Sequence, residues 1–165
     1  MTQGDAEWER RVAELWGGLD EHEPGAFVAA MEALAAERPP GDAPAAFELA
    51  CAHDSTGTPE QAAPLYRQAL AEGLVGERRR RAVIQLASTL RNLGRPGESV
   101  ALLTAEREAG SDGLDDAVAA FLALALVDVG REREAAGLAL AALARHLPRY
   151  NRSLATYAAD LAAPS

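Results

Sequence analysis

Apolar residues recur at helical spacing along most of this chain. Between residues 5 and 20, Trp8, Val12, Leu15 and Trp16 (or Leu19) fall on one side of a helix. Residues 25–37 give a second helix through Phe27, Val28, Met31 and Leu34, stopped by Pro39 and Pro40. Beyond them the pattern repeats. Gly57, Gly94 and Gly130 are separated by 37 and 36 positions (57 to 94, 94 to 130). Each follows an apolar-rich stretch and precedes another with a small residue five positions on: Ala62, Ser99 and Ala135. A self-similar period of this length marks a helix–turn–helix unit repeated along the chain.

The repeats are expected at 43–74, 80–110 and 115–148. In the first, Thr58 is placed to cap the second helix and Pro59 suits that helix's first position. In the second, Val83, Leu86, Ala87 and Leu90 form the packing stripe. The third has the most apolar helix, through Leu122, Ala123, Leu126, Val127 and Val129, and should be central; Ala135, Leu138, Ala139, Ala142 and Leu143 should face inward. Residues 5–40 read as an N-terminal helix pair without a turn glycine in register. Residues 149–163 read as a capping helix with Tyr150, Leu154, Tyr157, Ala158 and Leu161 on one side. The expected architecture is all-α, about eight helices in a single domain spanning 1–165.

Composition adds limits. Aromatic residues are only 5% of the 165, and Ala supplies much of the 48% hydrophobic content, which favours close helix packing. A net charge of −9 argues against nucleic acid or an anionic membrane as partner. All sixteen basic residues are Arg; this suits bidentate carboxylate recognition, but the bias of a GC-rich coding sequence is the better account and also explains the Ala. Cys51 is the only cysteine, so an internal disulfide and a multi-Cys metal site are excluded. No apolar run reaches the length of a membrane span and the N-terminus has no signal core, so the expected setting is cytoplasmic.

The positions of Ala50, Gly57, Ala62, Tyr66 and Ala69 match the tetratricopeptide (TPR) repeat consensus; Ala87, Gly94 and Ser99 match it again, as do Ala123, Gly130, Ala135 and Ala142. The strings FELACAHDSTG (47–57), APLYRQALAEGL (63–74), IQLASTLRNLG (84–94) and RYNRSLATYAADL (149–161) resemble a small stand-alone bacterial TPR family. The usual Trp of the first helix is absent, and Leu103 and Ala139 replace the usual aromatic of the second. The resemblance implies a right-handed helical-hairpin solenoid whose first helices line a concave, protein-binding groove. Carried over by position, the groove would hold Phe47, Cys51, Asp54 and Ser55, then Arg81, Ile84, Gln85, Ser88, Arg91 and Asn92, then Ala120, Phe121, Leu124 and Asp128.

Arg81, Gln85, Ser88 and Asn92 are four, three and four residues apart and so share one helical face. With Arg91 they would make a polar floor, flanked by Asp54 and Ser55 on one side and by Phe121, Leu124 and Asp128 on the other. The plainer alternative is that Arg91 pairs with Asp54 or Asp128 and tethers neighbouring repeats. The basic run Arg78–Arg81 reads as a solvated helix face rather than a nucleic-acid patch. Cys51 lacks a positioned base, since His53 points elsewhere on the helix, and His53 itself reads as a core residue. His22, His53 and His146 have no metal-ligand spacing. Trp8 and Trp16 read as core. The expectation is therefore a non-enzymatic module without metal or cofactor that binds a protein or peptide segment. The alternative is a self-associating structural homodimer.

Overall fold

The computed structural model describes residues 3–163. These residues form nine α-helices and no strand: α1 (Gln3–Gly17), α2 (Pro24–Ala36), α3 (Ala43–Ser55), α4 (Pro59–Ala71), α5 (Gly76–Asn92), α6 (Pro96–Ala109), α7 (Asp115–Asp128), α8 (Glu132–Ala144) and α9 (Asn151–Ala162). The count exceeds the expected eight because the N-terminal pair, all six repeat helices and the capping helix each form. Helix α5 starts at Gly76 rather than 80, so it takes in the whole arginine run.

The three turn glycines do the same job each time. Gly57, Gly94 and Gly130 have φ of 83°, 73° and 78°, a left-handed conformation that costs glycine little. The residue after each sends its N–H back five residues: Thr58 to His53 O at 2.9 Å, Arg95 to Leu90 O at 2.9 Å, Arg131 to Leu126 O at 2.9 Å. The glycine N–H itself bonds the carbonyl three residues back. This is the Schellman closure, which satisfies the last carbonyls of a helix. Thr58 does not cap α4. Its hydroxyl donates to His53 O at 3.0 Å, so it completes the end of α3 instead. His53 is only half-buried, with Nδ1 2.9 Å from the Thr58 hydroxyl, and belongs to that turn rather than to the core.

The chain divides into two compact units, one up to Ala82 and the other from Val83. In the first, α1 packs on α2, α2 on α3 and α3 on α4. Its core joins Trp8, Val12, Phe27, Met31 and Leu34 to Ala45 and Ala52. In the second, α6 packs on α7, α7 on α8 and α8 on α9. Its core joins Ile84 and Ala87 to Leu103, Val118, Leu122, Ala123, Leu126 and Ala135. The small residues Ala62, Ser99 and Ala135 are all buried, as close approach of paired helices requires. Part of the inward-facing expectation fails: Ala139, Leu143, Tyr150 and Tyr157 are exposed, as are Val127 and Val129. Tyr157 sits on α9, the last helix of the packing sequence, while Leu143 lies on a part of α8 that neither α7 nor α9 covers.

Candidate functional site

Helix α5 carries the expected polar face. Arg81 is exposed, with its guanidinium carbon 5.3 Å above the Phe47 ring. Gln85 and Ser88 are half-buried, and Asn92 is exposed at the helix end. In the second unit, Arg91 reaches α7: its Nε lies 2.5 Å from Asp128 Oδ2, and Nη2 lies 3.4 Å from Oδ1. The Nε–H is not aligned on an acceptor, so the contact is charge pairing more than a directed hydrogen bond. Of the two carboxylates considered for Arg91, Asp128 is the one that holds it. One turn before Asp128, Leu124 stands 45% exposed, and Val127 stands 48% exposed. Phe121 is half-buried against the second unit's core. Apolar surface and an ion pair thus lie side by side on α7.

In the first unit, Asp54 accepts the Tyr66 hydroxyl at 3.3 Å and Ser55 is exposed at the end of α3. Burial pushes the Tyr66 hydroxyl far above its ordinary value, and nearby Cys51 and Asp54 add to this, so it stays a donor. Phe47 and Cys51 do not line a groove; both are buried, because α3 is packed by α2 on one side and α4 on the other. Ile84 likewise belongs to the core.

The arginine run is a solvated face only in part: Arg79 and Arg81 are exposed, but Arg78 is half-buried. Arg80 is buried. Arg78 holds Glu9 of α1 through Nη1 at 2.7 Å and Nη2 at 2.5 Å, and Glu48 of α3 through Nε at 3.1 Å. Glu48 also accepts the Trp16 indole N–H at 2.8 Å. These bonds, led by the one to Glu9, raise the Arg78 pKa above its ordinary value. Arg78 precedes Arg81 by three residues and Gln85 by seven, so its place on the same face was legible. Glu48, a lone acid in the apolar stretch from Ala43 to Ala52, was the other available signal.

Among the described residues no group of three His, Cys, Asp or Glu side chains could hold a metal ion. No helix among them is long and apolar enough to cross a membrane. One surface cleft lies against α3 and α4 in the first unit, and another lies between the start of α8 and the end of α9 in the second.

A hairpin closed by glycine, with a small buried residue five positions on and apolar surface left on its first helix, defines a helical-repeat interaction fold. The chain belongs to the tetratricopeptide repeat family, whose Tetratrico peptide repeat pattern matches residues 43–161. Repeats of this family are protein–protein interaction modules. No curated protein and no solved structure matches the chain.

Proposed function

We propose that this protein is a non-enzymatic adaptor and that the α5–α7 face of its second unit takes up a peptide or protein segment. The observation that carries this is Leu124, almost half exposed one turn from the Arg91–Asp128 pair. An exposed leucine beside fixed charges suits a segment that presents both an apolar side chain and backbone polar groups. Phe121, three residues before Leu124 on α7, is half-buried against the second unit's core and leaves part of its ring as further apolar surface. Gln85, Ser88 and Asn92 supply donors and acceptors; Arg81 belongs to the first unit's own surface. Asp54 and Ser55 belong to the first unit's own surface. Arg91 serves both roles here, tying α5 to α7 and offering charge at the edge of the site. The setting in this reading is cytoplasmic, where the buried thiol of Cys51 stays reduced; cell fractionation checks it.

Self-association is the competing reading, favoured by Tyr150 and Tyr157, which stand 78% and 64% exposed. One experiment separates the two. Wild type and Leu124→Glu are used to enrich partners from native lysate, with mass spectrometry of the captured proteins and sedimentation of the purified chains. A partner that is captured by wild type and lost with Leu124→Glu supports the adaptor. Identical partner lists, or a dimer unaffected by Leu124→Glu with no other protein captured, would refute it.

A further inference from the structure

The third repeat is left uncovered on one side. Helices α4, α6 and α8 begin at Pro59, Pro96 and Glu132, so Tyr66, Leu103 and Ala139 are equivalent positions. By the same count Pro64 and Ala71, Ala101 and Glu108, and Gly137 and Ala144 correspond. Tyr66 and Leu103 are fully buried, while Pro64, Ala71, Ala101 and Glu108 are exposed. In α8 the pattern reverses: Ala139 is exposed, and Gly137 and Ala144 are buried. Residues two apart point to nearly opposite sides of a helix, about 200° from each other. The cause of the reversal is α9. Helix α7 packs on α6 over Leu103, which shares a core with Val118 and Leu122. Helix α9 packs instead on the Gly137 side of α8, where Ala158 and Ala162 approach that glycine. The face of α8 that its counterparts bury is therefore in solvent. It is apolar in the middle and charged at the ends. Glu132, Ala136, Ala139, Leu143 and His146 follow at steps of four, three, four and three, and all five are exposed. Leu143 is 49% exposed, and half-buried Leu140 and Leu147 border it. At one end Glu132 pairs with none of the described residues. At the other, Arg145 spends one N–H group on Asp116, which also holds His146 Nε2 at 2.7 Å, and keeps further donors.

We propose that this face of α8 pairs with the same face of a second copy of the chain, antiparallel about a two-fold axis at Ala139. The stripe selects that occupant because it is complementary to itself. The two-fold sets Ala136 of each copy beside Leu143 of the other. It also brings the free carboxylate of Glu132 in each copy to the exposed Arg145 guanidinium of the other, a charge-assisted contact at both ends. Ala139 at the crossing lets the two helices approach closely. One helix pair buries less than the roughly 1,200–2,000 Å² of a standard interface, so the dimer should be weak, with Kd on the order of 10–100 μM. The contact differs from one through Tyr150 and Tyr157, which lie on α9. It shares no residue with the proposed α5–α7 site, so a weak dimer and an adaptor coexist and either assignment can fail alone.

Sedimentation of the full-length protein across about 1–500 μM, a range that brackets this Kd, tests the pairing. Leu143→Glu should weaken the dimer by about tenfold or more, as a charge set into an apolar contact requires. Leu124→Glu and Tyr157→Ser should leave Kd unchanged. Glu132→Arg and Arg145→Glu should each weaken self-pairing, because each sets like charges together. Mixed one to one, these two variants should pair more tightly than either does alone, since every end contact then joins opposite charges. Ala139→Cys should cross-link to its own copy on mild oxidation, as Cα atoms within about 7 Å allow, and Ala120→Cys should not. The native Cys51 is buried, and the wild-type chain serves as the blank. All of these substitutions fall on exposed positions, and circular dichroism checks that each variant folds. A monomer throughout the range, a dimer kept by Leu143→Glu but lost with Tyr157→Ser, or a mixture no tighter than its components would each overturn the assignment. So would a different protein captured through Leu143 by a chain that stays monomeric.

Discussion

Gly137 lies in the middle of α8 and is buried against α9. A Cβ at this position would come 2.6 Å from Ala158 O, 2.9 Å from Ala162 N and 3.1 Å from Ala162 Cβ. Two of these three atoms are backbone, so no side-chain rotation relieves the contact. Ordinary carbon contacts of about 3.5 Å would require α9 to retreat by roughly 0.9 Å. Overpacking of this kind costs about 1–3 kcal/mol. Intrinsic helix propensity pulls the other way, since Ala is favoured over Gly by about 1 kcal/mol. Two backbone contacts under 3.0 Å place the cost in the upper part of that range, about 2–3 kcal/mol, so the balance for Gly137→Ala is a loss of about 1–2 kcal/mol, or a melting temperature lower by roughly 2–8 °C at this chain length. Gly97→Ala is the control, because Gly97 is also helical but has nothing within 4 Å of its Cβ position. It should gain a few tenths to about 1 kcal/mol. Urea unfolding followed by far-ultraviolet circular dichroism measures both, and hydrogen exchange of the α9 amides shows where the loss falls. If Gly137→Ala matches or exceeds wild type, α9 does not pack on α8 at the distance described.

Two further changes probe how charge holds the fold. Asp42 caps α3 by accepting the Ala45 N–H at 2.9 Å and also pairs with Arg38; Asp42→Ala should cost about 1–2 kcal/mol in urea unfolding read by Trp8 and Trp16 fluorescence, while Asp42→Asn keeps most of the cap. Asp116 accepts from His146 Nε2 at 2.7 Å and pairs with Arg145, and the hydrogen bond from His146 leads in holding its carboxyl below the ordinary value. Because the folded pKa is the lower one, the ionised carboxylate adds stability that is present above about pH 4 and lost as pH falls through the folded value. The acid limb of the stability–pH curve should therefore be shallower for Asp116→Asn, and an unchanged limb would remove Asp116 from the account.

Much of the fold was legible because the hairpin has a local cause. A glycine that must adopt a left-handed angle, and a small residue that must sit under a crossing helix, each leave a fixed mark at a fixed spacing. Asp128 was legible as an Arg91 partner for the same reason, since both occupy equivalent ends of first helices, 37 residues apart. The Arg78 network was not. Its carboxylates, Glu9 and Glu48, are 69 and 30 residues away, and no local pattern connects them. Phe47 and Cys51 were misplaced because a consensus register gives the direction of a side chain but not the thickness of packing around its helix.

The N-terminal pair shows how the same hairpin forms without those marks. No turn glycine closes α1. A 3-10 turn at Leu19–Glu21 follows instead, and Pro24 begins α2. The two helices are spaced by rings rather than by small residues: Trp16 and Phe27 centroids are 5.0 Å apart, and His22 meets Phe27 at 5.9 Å. The Trp8 indole N–H bonds Leu34 O at 2.8 Å, an α1-to-α2 tie. Charge supplies the rest: Arg11 binds Glu37 at 2.6 and 2.7 Å, and Arg38 lies 5.2 Å over Trp8 while holding Asp5 at 2.8 Å. Exposed pairs such as Arg11–Glu37 add little individually, but Trp8, Phe27 and Met31 are buried, and that burial is what joins the pair to α3. Family similarity begins at residue 43 because rings and ion pairs do here what glycine and small residues do in the repeats. The compact unit begins earlier because packing depends on buried area, not on the residue types that produce it.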